Sequence, residues 1–388
     1  MPDSLPSLTL HLHGAIDEIA PAAWDACAGE GNPFVSHAFL SAVEESGAAG
    51  ARTGWLPRHA ALRDEAGVLA ACAPMYAKGH SYGEYVFDHA WARAFEQAGG
   101  RYYPKLQVAS PFSPVPGPRL LTNPASGVPP AALAQALAQA CGEMKLSSVH
   151  VTFCSEADYT VLGDAGWLQR LGVQYHWHNH GFSSFDDFLA TLNARKRKSI
   201  KRERRDAQSC GLEFVALRGP EITAAQWRAF YRFYENTVDR KWGSAYLTPE
   251  FFPLLGEKLG DRVVLMLALQ GGVPVAGALN LMGADTLYGR NWGCVGDYPF
   301  LHFELCYYQA IDFAIRQGLA RVQAGAQGEH KIQRGYLPQL TYSGHFIAHA
   351  GLRRAIGDFL AAERPGVIAE MAALAELSPF RQGAEIDK

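Results

Sequence analysis

Residues 262–293 read RVVLMLALQGGVPVAGALNLMGADTLYGRNWG, and this stretch decides the fold. It contains three apolar runs, 263–269, 275–282 and 286–292, which are separated by short segments containing glycine. Glycine adopts a positive φ at no steric cost, so it suits the tight turns that join neighbouring strands. The pattern therefore predicts a meander of three antiparallel strands.

The residues after the meander complete a small α/β unit. Apolar residues at helical spacing predict a helix over 301–317, which ends at Gly318, and a short strand over 320–324. The segment 325–336, GAQGEHKIQRGY, is polar and contains glycine at both ends. Loops at strand ends often carry functional residues, so this segment is a candidate site.

Length and composition restrict the class of protein. A chain of 388 residues is longer than one hydrophobic core ordinarily serves, so two domains are expected. Apolar content of 48% and charged content of 19% are typical of a globular protein. A formal net charge of −3 excludes a global attraction to nucleic acid or membranes, and any such attraction must be local.

The N-terminal residues, the short apolar runs and the cysteines indicate a cytoplasmic protein. The first residues, MPDSLPSLTLHLHG, lack the basic and apolar regions of a signal peptide. The longest apolar run, 263–269, is far shorter than the ~20 residues that span a bilayer. The 7 cysteines are scattered and form no CxxC pair, which is typical of reduced, packed thiols. We therefore expect cytoplasmic localisation and no transmembrane segment.

The chain repeats one order of elements. Residues 59–62 and 68–76 predict a hairpin whose turn contains Gly67, which corresponds to Gly272 of the meander, 205 residues later. An aromatic-rich segment, a helix and a strand then follow each hairpin. Because the order of elements repeats together with the residues, we predict a duplication.

The duplication divides the chain into two predicted domains, 1–175 and 176–388. The second opens with a helix whose start has a capping box, Ser184 with Asp187 three residues on. A basic helix segment, 195–205, follows with the sequence RKRKSIKRERR, which holds eight basic residues and one acidic residue. Such a segment is either a solvated surface or a surface that binds phosphate groups.

Several segments resemble a bacterial branch of the FemAB-like N-acyltransferases, a family linked by name to peptidoglycan biosynthesis or recognition. They are 32–37 (NPFVSH), 84–89 (EYVFDH), 100–107 (GRYYPKLQ) and 325–338. The resemblance implies a tandem GNAT-like α/β fold, in which two similar halves have mixed central sheets. It also implies transfer of an acyl or aminoacyl group from an activated donor to an amine, in a process related to the cell wall.

The resemblance leaves the donor open between acyl-CoA and aminoacyl-tRNA. GNAT enzymes bind the pyrophosphate of acetyl-CoA in a glycine-containing loop at a helix N-terminus. The best match here is 290–296, RNWGCVG, in which the second glycine falls one place late. The long helical arm that is thought to engage tRNA in some FemAB enzymes is not visible either. We expect no tightly bound cofactor, with acyl-CoA possible as a co-substrate and tRNA possible as a partner.

Acylation of an amine requires a neutral amine, a proton acceptor and donors for the developing oxyanion. The predicted catalytic residues are Glu329, His330 and Glu304, which follow a strand or begin a helix. The predicted substrate-binding residues are Arg290, Asn291, His302, Lys331 and Arg334 in the second half, and Asp88, His89, Trp91, Tyr103 and Lys105 in the first. Each alone would suit a surface charge, a cap or an aromatic loop; together they predict a pocket between the domains.

The basic segment is assigned to the phosphates of the donor. The predicted contacts are Arg195, Lys196, Arg197, Lys198 and Arg202. The alternative from a different class is a non-catalytic protein that binds nucleic acid or another phosphate ligand through 195–205. A third interpretation is a scaffold whose transferase site has decayed.

No metal site is predicted. His176, His178 and His180 alternate, so in a strand they would share one face and could bind zinc. No fourth Cys, Asp or Glu ligand lies close in sequence, so a structural or substrate-contacting role is favoured. The sequence also contains no P-loop.

Overall fold

A computed structural model gives the structure of the chain and describes residues 7–240, 245–325 and 328–381. The strands are β1 (Thr9–His13), β2 (Trp55–Pro57), β3 (His59–Arg63), β4 (Leu69–Ala73), β5 (Met75–Lys78), β6 (Lys105–Val108), β7 (Leu121–Thr122), β8 (Ser148–Cys154), β9 (Leu168–His178), β10 (Glu213–Arg218), β11 (Val263–Gln270), β12 (Val273–Met282), β13 (Thr286–Cys294), β14 (Arg321–Gln323) and β15 (Leu337–Ile347). The helices are α1 (Pro21–Ala28), α2 (His37–Glu45), α3 (His89–Gln97), α4 (Pro130–Glu143), α5 (Glu156–Asp164), α6 (Phe185–Thr191), α7 (Ala194–Gln208), α8 (Ala224–Arg240), α9 (Phe251–Leu259), α10 (Leu301–Phe303), α11 (Gln309–Arg316) and α12 (Ala350–Ala375).

The chain forms two compact units, each built from two stretches of sequence. Unit 1 comprises residues 1–172 and 340–368, and unit 2 comprises residues 173–339 and 369–388. The sequence placed a single boundary near residue 175 and assigned all later residues to one domain. The structure instead assigns β15 from Leu340 onward and most of α12 to unit 1, because β15 pairs with β8.

In unit 1 the strands β2, β5, β6, β8 and β15 are neighbours in that order. All of these pairs are antiparallel except β6 with β8, which is parallel and is connected through α4. The chain of β2 continues after one residue into β3, and that of β4 into β5. The strands β3 and β4 form a smaller antiparallel sheet with β1 and β7 at its edges.

In unit 2 the strands β10, β11, β12, β13, β14 and β9 are neighbours in that order. They are antiparallel except β13 with β14, which is parallel and is connected through α10 and α11. The strand order of unit 1 corresponds to that of unit 2. In this correspondence β1 takes the place of β10, β2 and β3 together take that of β11, and β4 and β5 together take that of β12. The strands β6, β8 and β15 take the places of β13, β14 and β9, respectively. The topology is therefore duplicated, as the sequence predicts.

The predicted meander is confirmed as β11, β12 and β13. Its first turn contains Gly271 at φ 55° and Gly272 at φ 79°, and the corresponding turn of unit 1 contains Gly67 at φ 78°. The two consecutive positive φ values suit a tight turn that follows the twist of the flanking strands. The predicted helix 223–242 is confirmed as α8, and its last two residues lie outside the described part of the chain.

The two faces of the unit 1 sheet differ in chemistry. One face packs Leu106, Val108, Val149 and Val151 against Leu133 and other apolar residues of α4. On the opposite face, directly paired residues bring together buried polar side chains: Lys78 with Lys105, Tyr76 with Gln107, and His150 with His345. A polar sheet face that is buried must be paired through hydrogen bonds, because unpaired polar groups in the interior are costly.

An apolar core of unit 2 packs the sheet against α6 and the 301–316 helical segment. Trp177, Leu287 and Val322 contribute from the strands, and Leu305, Ile311 and Ala314 contribute from the helical side. The helix start predicted at Ser184 is confirmed, since its side chain accepts from the Asp187 N–H and the Asp187 carboxylate accepts from the Ser184 N–H. Among the described residues, no helix combines the length and apolar character needed to cross a membrane.

Candidate functional site

The parallel strands β13 and β14 of unit 2 separate after a short ladder. Thr286–Tyr288 pair with Arg321–Gln323, after which β14 ends while β13 continues to Cys294. Within the described part of the chain, no strand pairs with the β14-facing edge of 289–294. An unpaired strand edge offers backbone N–H and C=O groups to a ligand. This opening in unit 2 is the candidate site.

A β-bulge accompanies the separation of the two strands. The register of β12 with β13 shifts between Ala278 and Asn280, opposite the stretch from Gly289 to Trp292. Bulges bend a strand and are common beside functional sites. The helix α8 packs closely against β13 at Gly293. A Cβ at this position would lie 1.9 Å from the carbonyl oxygen of Phe233 on α8. Gly293 thus serves packing, and residues 290–294 of the stretch compared with a pyrophosphate loop lie in β13.

His330 lies beside this opening and is connected to β13 by a series of aromatic ring contacts. The His302 ring contacts Trp292 of β13, with centroids 5.1 Å apart, and lies 6.1 Å from the His330 ring. The Tyr307 hydroxyl oxygen is 2.9 Å from Nε2 of His330. Burial, together with Arg334 and Lys331, lowers the pKa of His330 below its usual value. The imidazole is therefore neutral near pH 7, as a general base requires.

Tyr307 and Tyr308 belong to a π-helical turn, Glu304–Tyr308, between α10 and α11. Such turns are rare and occur often at functional sites. The sequence indicated only a continuous helix over 301–317, since apolar spacing does not distinguish one extra residue in a turn. The turn directs the Tyr307 hydroxyl to His330, and sequence reasoning missed this residue.

Glu304 is fully buried and paired with the basic helix. Its carboxylate accepts hydrogen bonds from Arg204 at 3.2 and 3.3 Å, from Gln208 at 3.2 Å and from Gln309 at 2.8 Å. A carboxylate engaged in this way holds α7 in place. The geometry favours that structural role over the catalytic role predicted from the sequence.

Lys331 and Arg334 are also turned inward. Lys331 donates to the Gly325 carbonyl oxygen at 2.8 Å, and Arg334 donates to the carboxylate of Glu203 on α7 at 2.9 Å. Both side chains are almost fully buried. Glu329 is exposed in the same short 3-10 helix, Glu329–Arg334, and so is His330. This segment therefore presents Glu329 and His330 outward and is held by Lys331 and Arg334.

The exposed side of α7 is a cationic surface. It lines an open groove of about 730 Å³ through Ala194, Arg195, Arg197, Lys198, Ser199, Lys201, Arg202 and Arg205. Lys201 and Arg205 form exposed ion pairs with acidic neighbours, whereas no ion pair within the described residues engages Arg195, Lys198 or Arg202. Lys196 is half-buried, and burial together with Arg195 and Arg334 lowers its pKa. We name this surface the α7 face.

Arg290 and Asn291 lie on the stretch of β13 beyond the ladder, where both are half-buried. They directly precede Trp292, whose ring contacts His302. The histidines His176 and His178 are on β9, with ring centroids 6.5 Å apart. Burial lowers the pKa of His176 to about 3. Among the described residues, no group of three or more His, Cys, Asp or Glu is arranged to hold a metal ion.

The candidates in the first half of the chain form a buried charged cluster in unit 1. Lys105 donates to Glu84 at 2.7 Å, to Ser81 at 2.9 Å and to Asp88 through a short hydrogen bond. Burial alone would raise the pKa of Asp88, but Lys105 and His150 outweigh it and hold the pKa well below its usual range. Burial raises the pKa of Glu84 to about 7.

Tyr102 extends the cluster from Asp88 to the paired imidazoles of His150 and His345. Its hydroxyl donates to the Asp88 carboxylate at 2.7 Å and also lies close to Nε2 of His150. Their Nδ1 atoms are 2.7 Å apart. Glu84, His150 and His345 were missed from the sequence, although Glu84 precedes Asp88 within the segment EYVFDH. The two histidines are 195 residues apart, and no local pattern connects them.

The remaining predicted residues of unit 1 lie around this cluster. Tyr103 is half-buried, and its hydroxyl is 2.8 Å from the Ser81 hydroxyl, which Lys105 also contacts. His89 and Trp91 are on α3, where the Arg170 guanidinium lies 5.2 Å from the Trp91 ring. The prediction that this set meets the unit 2 set in a common pocket stays a prediction.

Comparisons with known proteins place these observations in context. A family model named FemAB-like, described as peptidoglycan biosynthesis/recognition, matches residues 15–382. A search of curated proteins finds no match. Three solved structures illustrate the similarity of fold, and each is nearly fully covered.

The first is FemX, with 11% identity, coverage of 90% of this chain and 100% of that chain, and a TM-score of 0.54. The C-terminal domain of a protein assigned as lysylphosphatidylglycerol synthetase from Agrobacterium fabrum has 11% identity, coverage of 90% and 97%, and a TM-score of 0.53. L-PGS from Bacillus licheniformis has 10% identity, coverage of 91% and 98%, and a TM-score of 0.51. At these identities the similarity concerns the fold alone. The predicted pair of similar α/β halves with mixed central sheets is confirmed, and the chain shares its fold with these structures.

Proposed function

This chain belongs to the FemAB-like family of peptidoglycan biosynthesis and recognition, and from that premise we propose that it is an N-acyltransferase. It transfers an acyl or aminoacyl group from an activated donor, acyl-CoA or aminoacyl-tRNA, to an amine in a process related to the cell wall. The observation that carries the proposal is the open edge of β13 beside His330, an exposed imidazole with a lowered pKa. A reacting carbonyl, a base and backbone donors can meet there.

The reaction proceeds by direct attack. The neutral amine forms a bond to the carbonyl carbon, the bond from that carbon to the thiol sulfur or ester oxygen of the donor breaks, and the departing group takes up a proton. His330 accepts the proton that the amine nitrogen loses. In the competent tautomer Nε2–H donates to the Tyr307 hydroxyl oxygen, which leaves the Nδ1 lone pair free. The exposed carboxylate of Glu329 is the second candidate for this role.

Backbone N–H groups along 289–294 are the donors for the developing oxyanion. They are fixed by the pairing of β13 with β12 on the other edge of the strand. Donors that are already oriented stabilise charge in the transition state without reorganisation. Arg290, Asn291 and His302 line the same stretch and contact the substrates.

The α7 face holds the phosphates of the donor. Arg195, Lys198 and Arg202 follow an i, i+3, i+7 pattern, so they form a row along one side of the helix. Lys196 and Arg197 extend the surface beside this row. Both donor classes carry phosphate, and the α7 face therefore supports either of them.

Tyr103, His89 and Trp91 of unit 1 recognise the acceptor. Asp88 and Lys105, which are buried and paired, hold these residues in place through Ser81 and Tyr102. A half-buried hydroxyl and imidazole supported by a fixed ionic cluster are suited to select a polar acceptor.

A transfer assay tests the proposal. The protein is incubated with acyl-CoA or aminoacyl-tRNA and with amine-bearing fragments of peptidoglycan, and the acceptor is examined by mass spectrometry for the added acyl mass. We expect His330→Ala to lower the rate by about 10²- to 10⁴-fold, the usual contribution of a general base. His11→Ala, an exposed histidine on β1, is the matched control and should retain the rate.

The alternative function, a non-catalytic protein that binds nucleic acid or phosphate ligands, rests on the same α7 face. It predicts phosphate-dependent binding with no acyl transfer for any donor, and equal behaviour of the wild type and His330→Ala. Transfer that persists unchanged in both His330→Ala and Glu329→Gln would remove the proposed mechanism while leaving the family assignment intact.

A further inference from the structure

Arg334 connects the candidate base to the basic helix. One end of its guanidinium, Nη1, donates to the main-chain carbonyl oxygen of His330 at 2.8 Å. The other, Nη2, donates to the Glu203 carboxylate on α7 at 2.9 Å. The guanidinium carbon lies 3.4 Å from the centre of the Phe303 ring, against which it stacks. Arg334 thus contacts three elements of unit 2 at once.

We propose that Arg334 is a positioning residue that Glu203 holds in place, and that this pair fixes His330 in the orientation that transfer requires. The inference rests on the proposed function, because it concerns the base of that reaction. It adds a part of the site to which neither the sequence nor the family match assigns this role. The sequence indicated Arg334 only as a contact to substrate.

The segment that carries His330 needs such a contact because its ends are permissive. Gly328 has φ 110° and Gly335 has φ 87°, so both ends of the 3-10 helix adopt conformations that favour glycine. Glu329 and His330 at its start are solvent-exposed, and the His330 ring packs on one side against Phe303 and Tyr307. The segment is held from below by Lys331, Ile332 and Arg334, which are buried.

Glu203 is itself held firmly, so it can serve as the fixed point. Its Oε2 accepts a short hydrogen bond from the Tyr308 hydroxyl as well as the bond from Arg334, and its Oε1 accepts from Ser199 at 3.3 Å. Glu203 and Arg334 are both more than nine-tenths buried. A buried ion pair with these additional hydrogen bonds is specific in geometry, and removal of one partner leaves an uncompensated charge.

The forked guanidinium explains why arginine is present. It donates in two directions from one rigid plane and stacks on an aromatic ring, whereas an ammonium group has one nitrogen. Lysine at this position would keep the positive charge but could not reach His330 and Glu203 together. A comparison of Arg334→Lys with the wild type therefore separates a role in position from a role in charge.

The test follows His330 by NMR and needs no substrate. The imidazole is labelled with ¹³C and ¹⁵N, and its titration and its contacts to the Tyr307 ring are measured in the wild type, Glu203→Gln and Arg334→Lys. In both variants we expect the pKa of His330 to rise toward its ordinary value, because the imidazole becomes more solvated. We also expect the contacts between His330 and Tyr307 to weaken. Glu203→Gln is isosteric, so it remains informative if an arginine variant fails to fold.

Glu213→Gln on β10 is the matched control, since it removes an exposed carboxylate of the same unit, and it should leave the titration unchanged. If Arg334→Lys and Glu203→Gln both fold and titrate at His330 like the wild type, the inference is wrong, whatever the reaction. Conversely, the loss of His330 position in these variants together with full activity of His330→Ala would support the positioning and contradict the proposed function. When both are correct, the transfer rate in Arg334→Lys falls by about 100-fold, as expected for a displaced catalytic group, and the KM for the donor changes little.

Discussion

At the residue scale, His330 makes the pH dependence of the reaction predictable. The neutral imidazole is the active form, and burial with Arg334 and Lys331 lowers its pKa. Activity should therefore be retained at neutral pH and lost as the pH falls through a value below 6.5. The measurement is kcat/KM against pH with a donor whose own groups do not titrate in this range. An acidic limb above pH 7 would contradict the assignment of His330.

Lys105 offers a second prediction at this scale, one that concerns stability. Lys105→Met leaves Glu84 and Asp88 buried without their main partner, which should cost about 3–5 kcal/mol of unfolding free energy at pH 8. Burial then raises the folded pKa of both carboxyl groups above the unfolded values. The loss of stability relative to the wild type is accordingly smaller at acidic pH, where the two carboxyl groups are protonated, and grows as the pH rises toward 8. Urea denaturation at pH 5 and pH 8 checks the sign, and an equal loss at both values would contradict the prediction.

At the scale of elements, the α7 face predicts a salt-dependent interaction. Arg195→Gln with Lys198→Gln removes two exposed cations from one side of the helix and should weaken binding to RNA. The dependence of log K on log salt should become shallower by about 1.5, since each phosphate contact contributes about 0.7 to 0.9. Arg228→Gln with Arg232→Gln, on the exposed side of α8, removes the same charge elsewhere and should change neither quantity. Equal weakening in both pairs would assign the effect to net charge.

The packing of α8 on β13 depends on Gly293, which has no side chain at the point of contact. Gly293→Ala places a Cβ within 1.9 Å of a backbone oxygen, so the helix must move away from the strand. We expect a loss of about 1–3 kcal/mol of unfolding free energy, the usual cost of overpacking. Gly142→Ala, in the exposed part of α4 with open space around the position, should instead stabilise by about 0.5–1 kcal/mol. Thermal denaturation of both variants distinguishes a steric effect at Gly293 from a general tolerance of alanine.

The elements that the sequence predicts well are those with a local signal. The meander, the capped start at Ser184 and the basic helix each follow from residues within one stretch, through alternation, capping and turn chemistry. The roles of individual residues are harder, since they depend on partners far along the chain. Glu304 resembled a catalytic carboxylate at a helix start, yet Arg204, 100 residues earlier, engages it in the interior.

At the scale of the whole molecule, the duplication could be predicted from the sequence, whereas the return of residues 340–368 to unit 1 could not. The repeated order of hairpin, helix and strand is visible in the sequence as two similar successions. Nothing in 337–347 indicates that β15 pairs with β8 of unit 1, because any strand with that pattern of apolar residues could pair with several edges. Single-sequence reasoning therefore placed one boundary where the structure has two units of two stretches each.

The return of residues 340–368 to unit 1 predicts how the two units behave when they are separated. A fragment of residues 1–172 lacks β15 and the part of α12 that packs Leu352, Ile356 and Leu360 against Trp91 and Tyr102. It should show no cooperative thermal transition and poor dispersion of amide signals in NMR. Linking 340–368 to its end through a flexible spacer should restore both. A fragment 1–172 that melts cooperatively by itself would show that β15 contributes little to unit 1.

The pairing of His150 with His345 also has a consequence for biosynthesis. As the nascent chain leaves the ribosome, β8 emerges 195 residues before the histidine that it faces. At ordinary rates of elongation this interval lasts about 10–40 s. The first unit to be translated is thus completed only after most of the second has been synthesised, and during that time a chaperone or the ribosome itself must keep the edge of β8 from joining a neighbouring chain.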